Sequence, residues 1–109
     1  MKKSPSPKVK DPVLEQVSRI PSGCVVTYGD IANHLGIVAR TVGWVMAGLS
    51  EEEMARYPWH RVVGAGGTIP ALKYGFRGQV QINLLKDEGL EFTESLKIKD
   101  FARFRFEIN

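Results

Sequence analysis

Three observations predict a mainly α fold with a small β-hairpin, arranged as a winged helix-turn-helix. Two short stretches of helical apolar spacing, at 27–35 and about 39–49, flank a glycine-bearing turn. A longer helical stretch of about 77–88 precedes Gly89. Between them, Arg61-Val62-Val63, Gly64-Ala65-Gly66-Gly67 and Thr68-Ile69 have the composition of two short strands joined by a tight turn. Residues 1–10 are expected to form a disordered basic tail, and residues 11–109 a single winged-helix domain.

Each element has its own signal. Asp11-Pro12 resembles an N-cap followed by proline in the first helical position, and Val13, Leu14, Val17 and Ile20 recur at helical spacing. A first helix over roughly 12–20 follows, ended by Pro21-Ser22-Gly23. Thr27 with Asp30 three residues later forms a capping box, and Gly36 closes that short helix through Ile31, Ala32 and Leu35. On the next helix, Val42, Val45, Met46 and Leu49 share an arc of about 100° and form its core face. Arg40, Gly43, Trp44 and Ala47 lie opposite. Small residues there let a helix backbone approach a partner closely, with Arg40 projecting from the first turn; an exposed arginine beside incidental small residues is the plainer reading. Ser50 to Tyr57 is a connection with one helical turn over Glu51–Glu53. The last helix turns Val80, Leu84 and Leu85 inward. Phe101, Phe104 and Phe106 pack back on the body.

Composition narrows the function classes. The chain has 109 residues, 43% hydrophobic and 25% charged, which is ordinary for one globular domain. No apolar run approaches the roughly 18 residues of a membrane span, and no signal-peptide pattern opens the sequence. A single cysteine, Cys24, excludes an internal disulfide and a cysteine-based zinc site. An intracellular setting is expected, with no membrane, metal or cofactor. The net charge of +3 includes Lys2, Lys3, Lys8 and Lys10; without them 11 basic residues face 12 acidic ones. The tail either adds nonspecific attraction to phosphate or is a solvated terminus. The folded body is no broad cationic surface, so nucleic-acid binding must come from a few well-placed groups.

Four segments in order carry a resemblance over roughly residues 12–93. They are Ile20-Pro21-Ser22-Gly23 through Thr27-Tyr28-Gly29-Asp30-Ile31-Ala32, then Ala39-Arg40-Thr41-Val42-Gly43, then Pro58-Trp59-His60-Arg61-Val62-Val63, then Leu84-Leu85-Lys86-Asp87-Glu88-Gly89. Together they resemble the DNA-binding half of O6-alkylguanine-DNA alkyltransferases. Trp59 stands where that family has its alkyl-accepting cysteine. Alkyl transfer needs a thiolate, and an indole nitrogen is a hydrogen-bond donor only. The chain is therefore similar to the alkyltransferase-like, noncatalytic members, with no catalytic residue.

The resemblance implies roles residue by residue. The helix-turn-helix enters the minor groove and rotates the altered nucleotide out of the stack. Tyr28 matches the tyrosine that pushes on the phosphate of that nucleotide. Arg40 matches the arginine that fills the vacated space, where a planar guanidinium offsets lost stacking and pairing. Thr41, Gly43 and Trp44 belong to the same DNA face. Tyr28, Trp59, His60, Val62, Val63 and Tyr74 would line the lesion pocket, Val62 and Val63 through backbone carbonyls, while Arg61 is structural. Trp59 read without its neighbours is a core aromatic. Ile82 takes the position of the glutamate that orients the family's histidine, leaving His60 without an acid. Leu72, with Lys73 adjacent, stands where some members hold the lesion with a cation.

The implied partners are double-stranded DNA containing O6-alkylguanine and nucleotide-excision repair proteins, in a bacterial or archaeal nucleoid or a eukaryotic nucleus. Three rivals remain open. An alkyltransferase using Cys24 would gain alkyl mass, a sequence-reading helix-turn-helix regulator would prefer one undamaged site, and a protein-interaction module would not bind DNA.

Overall fold

The structure is a computed structural model that describes residues 7–108. In chain order it contains α1 (Pro7–Ser18), β1 (Val26–Thr27), α2 (Tyr28–Leu35), α3 (Ala39–Ala47) and α4 (Glu51–Arg56). Then come β2 (Val62–Val63), α5 (Phe76–Asp87) and α6 (Phe101–Phe104), with 3-10 turns at Trp59–Arg61, Ala65–Gly67 and Pro70–Lys73.

The first helix begins earlier than Asp11-Pro12 suggests. Residues 7–10, expected in the tail, form its first turn, and Pro12 lies inside the helix. Val9 sits one turn before Val13, packs against the same core and extends its apolar stripe. Lys10 pairs with Glu53 of α4 at 2.7 Å. These contacts outweigh the one backbone bond that Pro12 removes. The expectation of disorder for residues 1–6 lies outside the described residues.

The helix-turn-helix follows the sequence reading closely. Both bonds of the Thr27–Asp30 capping box form, at 2.9 and 3.0 Å. Gly36 closes α2 in the left-handed region with φ +70°. Helix α3 stops at Ala47, two residues short of Leu49, which is still buried. A second capping box, Ser50 with Glu53, extends the anticipated single turn into the full helix α4.

The expected β-hairpin does not form. Val62–Val63 pairs in parallel with Val26–Thr27, in register Val26 to Val62 and Thr27 to Val63. Beyond β2 the chain folds into a 3-10 turn, with Gly67 at φ +86° and its carbonyl taken by the Ile98 N–H at 3.0 Å. The Gly64 N–H closes this turn on the Thr68 carbonyl at 2.9 Å, and Thr68–Ile69 forms no strand. On the near side, Val25 donates to the Phe104 carbonyl and accepts from the Phe106 N–H, at 2.9 and 2.7 Å.

Alternation along β2 joins two cores. Val62 belongs to the core of α1, α2, α3 and Trp59, whereas Val63 belongs to one built from Val25, Ile69, Ile82, Leu85, Leu90 and Ile98. Phe101, Phe104 and Phe106 pack back on the body as expected, the first two on the second core and Phe106 on the first. Helix α5 is rotated from its expected orientation. Val80 is 44% exposed, Leu84 is half-buried, and Gln81 and Ile82 point inward with Leu85. Gly78 sets this rotation, because its Cα lies so close to the Pro70–Lys73 turn that an added Cβ would fall 2.4 Å from the Leu72 nitrogen.

Gly78→Ala should therefore lower the unfolding free energy by about 1–3 kcal/mol, read as a lower urea midpoint with unchanged slope. Gly43→Ala is the matched control. A Cβ at Gly43 meets nothing within 4 Å, so that variant should be neutral or more stable by up to about 1 kcal/mol.

Candidate functional site

Helix α3 presents the face that its sequence anticipates. Val42, Val45 and Met46 are buried, and Arg40, Trp44 and Ala47 face outward. Arg40 stands in the first turn, Trp44 is 43% exposed, and Gly43 between them leaves open space above the backbone. Thr41 is half-buried, its N–H bonded to the Val38 carbonyl at 3.0 Å. A wedge-shaped partner surface can approach this backbone more closely than a helix of larger residues allows.

The chain reaches Trp59 through two consecutive tight turns. Pro58, at φ −76° and ψ 63°, is the centre of an inverse γ-turn closed by the Trp59 N–H on the Tyr57 carbonyl at 2.7 Å. The 3-10 turn Trp59–Arg61 follows directly, held by Arg61 N–H on the Pro58 carbonyl at 3.0 Å. Proline's fixed φ suits the first turn, so the direction of side chain 59 is set by backbone geometry. Trp59 is 8% exposed and belongs to the first core, with the His60 ring edge-on to it at 6.2 Å. It is thus a core aromatic at the edge of the candidate site.

Arg77, which the sequence reading passed over as an ordinary helix residue, joins these parts. Its guanidinium lies over the Trp59 ring at 5.2 Å. It also donates to the Met46 and Ala47 carbonyls, at 2.6 and 3.0 Å, closing the C-terminus of α3. Burial pulls the Arg77 pKa down, partly countered by Tyr28. Burial pushes the Tyr28 phenol above its ordinary value, with the charge of Arg77 working the other way. Tyr28, Trp59, Arg77 and the end of α3 therefore form one locus. The only signal in the sequence was an arginine just past Gly75, which is no signal of stacking.

Beside this locus lies a half-buried charge cluster. Arg61 grips Glu88 with Nε at 3.0 Å and a terminal nitrogen at 2.8 Å, and donates to the Ile20 carbonyl at 2.8 Å. The Gly23 N–H donates to Glu88 at 2.8 Å, and His60 Nε2 lies 2.7 Å from its other oxygen. The structure thus corrects the assignment of Ile82 to the glutamate's position. Ile82 is core, and the acid that orients His60 is Glu88, just past the end of α5. Counting along the motif placed the acid too early, because Glu88 reaches back from the helix cap. Burial alone would raise the Glu88 pKa; hydrogen bonds from Arg61, Gly23 and His60 outweigh it and bring it to about 2.

Other expected pocket residues are placed differently. The side chains of Val62 and Val63 are core, and the Val62 carbonyl accepts from the Gln81 amide at 2.8 Å. That amide also bonds the His60 carbonyl at 3.1 Å, so Gln81 braces the Trp59 turn from α5. Tyr74 is 75% exposed. Cys24 is half-buried against the first core. A groove of about 660 Å³ between α2 and the C-terminal segment is lined by Asp30, Asn33, His34, Arg105 and Phe106, and it contains none of the residues assigned to the lesion pocket. Among the described residues no group of three or more His, Cys, Asp or Glu is arranged to hold a metal ion, and no helix is long and apolar enough to cross a membrane.

Residues 8–90 match the family described as the DNA-binding domain of 6-O-methylguanine DNA methyltransferase. Alkyltransferase-like protein 1 of Schizosaccharomyces pombe is 39% identical over 85 residues, 76% of this chain and 77% of that protein. A DNA base-flipping protein of Escherichia coli K12 is 40% identical over 96 residues, 86% of this chain and 70% of that protein. A crystal structure of the S. pombe protein with damaged DNA containing O6-carboxymethylguanine superposes with a TM-score of 0.81. It is 31% identical, and the match covers 95% of this chain and 99% of that one.

The Glu88 cluster yields a pH prediction. The fold favours the ionised carboxylate, so its stabilisation is complete above about pH 5 and is lost as pH falls towards the folded value near 2. Glu88→Gln should cost about 1.5–3 kcal/mol at pH 7. Its acid unfolding limb, followed by circular dichroism between pH 5 and 2, should be flatter than that of the parent.

Proposed function

The chain belongs to the family of 6-O-methylguanine DNA methyltransferase DNA-binding domains, and from that premise we propose that it recognises O6-alkylguanine in double-stranded DNA without repairing it. Helix α3 enters the minor groove, Arg40 takes the space left by the extruded base, and Tyr28 presses on the backbone beside it. The extruded guanine is received against Trp59. The bound complex then marks the site for nucleotide-excision repair proteins.

Trp59 is the observation that carries this reading. The turn that presents residue 59 is intact, but the group it presents is an indole in place of a thiol. His60 keeps a carboxylate partner in Glu88, so the loss of chemistry is single, at the nucleophile. A histidine held by an acid has no thiol to deprotonate here, and its bond serves to fix the Trp59 turn. The reading is further supported by the open α3 face above Gly43 and by what the E. coli and S. pombe relatives are named for or bound to.

Two measurements test it. Duplexes matched except for one O6-methylguanine should quench tryptophan fluorescence only when the lesion is present, with no methyl mass added to the protein and none lost from the DNA. A methyl adduct on Cys24 would overturn the noncatalytic reading. Trp59→Ala should weaken lesion binding about 5- to 100-fold, as loss of one stacking surface does, with a much smaller change for undamaged duplex. Equal losses for both would remove Trp59 from the pocket.

A further inference from the structure

Arg77 has more hydrogen-bonding capacity than its structural contacts use. Two of its five N–H groups are spent on the Met46 and Ala47 carbonyls. Among the described residues no carboxylate lies within 4.0 Å of it. Arg61, also half-buried, is by contrast neutralised by Glu88. Holding a partly desolvated cation without a counter-anion is costly, and burial accordingly weakens its hold on the proton. Phe76, its neighbour in the chain, is 88% exposed, and Tyr74 is 75% exposed. Trp44 lies one turn before Ala47 on the same outward face of α3. An anion arriving here meets a partly desolvated cation with free N–H donors, to which it can make charge-assisted bonds.

We propose that Arg77 is an oxyanion-binding residue beside Trp59, engaged when DNA docks; this rests on the DNA-binding reading above. The oxyanion has two sources in such a complex. One is a backbone phosphate near Tyr28, whose phenol already lies within the reach of the Arg77 charge. The other is an acid-bearing alkyl group on the extruded guanine itself. Either one supplies what the described residues do not place beside Arg77, a full negative charge for the three remaining N–H donors.

The test uses the full chain, as parent, Arg77→Gln and Arg77→Lys, titrated with undamaged, O6-methylguanine and O6-carboxymethylguanine duplexes over a range of salt. If a phosphate is bound, Arg77→Gln should lose about tenfold or more on all three duplexes, and the slope of log affinity against log salt should shrink by about one. Arg77→Lys should restore the slope. If the adduct's carboxylate is bound, Arg77→Gln should lose affinity for the carboxymethyl duplex alone. Unchanged binding overturns the proposal. So does a uniform loss with the parent salt slope and no rescue by lysine, which would leave Arg77 only a prop for α3. Should the parent fail to distinguish damaged from undamaged DNA, the lesion-binding reading falls, while the salt slope on undamaged duplex still decides the phosphate contact.

Discussion

One carboxylate holds together the parts that matter. Glu88 stands at the end of α5 and receives hydrogen bonds from Arg61 and His60 of the Trp59 turn and from the Gly23 N–H of the turn that leads into β1. Through Arg61 the link continues to the Ile20 carbonyl at the end of α1. Three segments far apart in sequence therefore meet on two oxygen atoms. A neutral partner is costly at such a junction, because losing the carboxylate leaves the Arg61 guanidinium without a counter-charge and weakens the acceptor for the Gly23 N–H. Gly23 is at φ +82°, a conformation that frees its N–H to point at the acid and disfavours side chains.

From this junction the site is assembled by short-range geometry. The γ-turn at Pro58 and the 3-10 turn after it fix Trp59, Gln81 braces that turn from α5, and Gly78 lets α5 lie against the Pro70–Lys73 turn. Arg77 then spans from α5 to the end of α3. The end of α3 and the Trp59 ring are thus tied by one side chain, and displacement of one is felt by the other. No strongly positive surface is needed for such an arrangement. The described body has nearly balanced charge, and its cations at α3 and α5 are placed singly.

Much of this was legible in the sequence, for definite reasons. Capping at Thr27 and Gly36 is local chemistry, and the core face of α3 follows from helical period, so both were found where expected. The strand pairing was not legible: Val62-Val63 followed by a glycine run has the composition of a hairpin, yet its partner is Val26–Thr27, and two-residue strands carry too little pattern to reveal it. Val80 was assigned inward because apolar spacing allows it, while the rotation of α5 is set by backbone contact at Gly78 and by Gln81, a polar residue with two carbonyls to satisfy. Arg77 and Glu88 were missed as site residues because their roles are made by tertiary contacts between helix ends. Val9 was hidden among lysines and prolines.

The pairing of Val25 with residues 104–106 bears on how the molecule is made. Asp30, which caps α2, also accepts a two-pronged ion pair from Arg105, and Arg105 in turn lies over the Phe101 ring. The segment entering α2 is thus bordered by chain emerging from the ribosome some eighty residues later. During synthesis α2 can form from its own capping box, but β1 keeps an open edge until that distant stretch arrives. A chain lacking residues 104–106 would leave the N–H and carbonyl of Val25 without these partners.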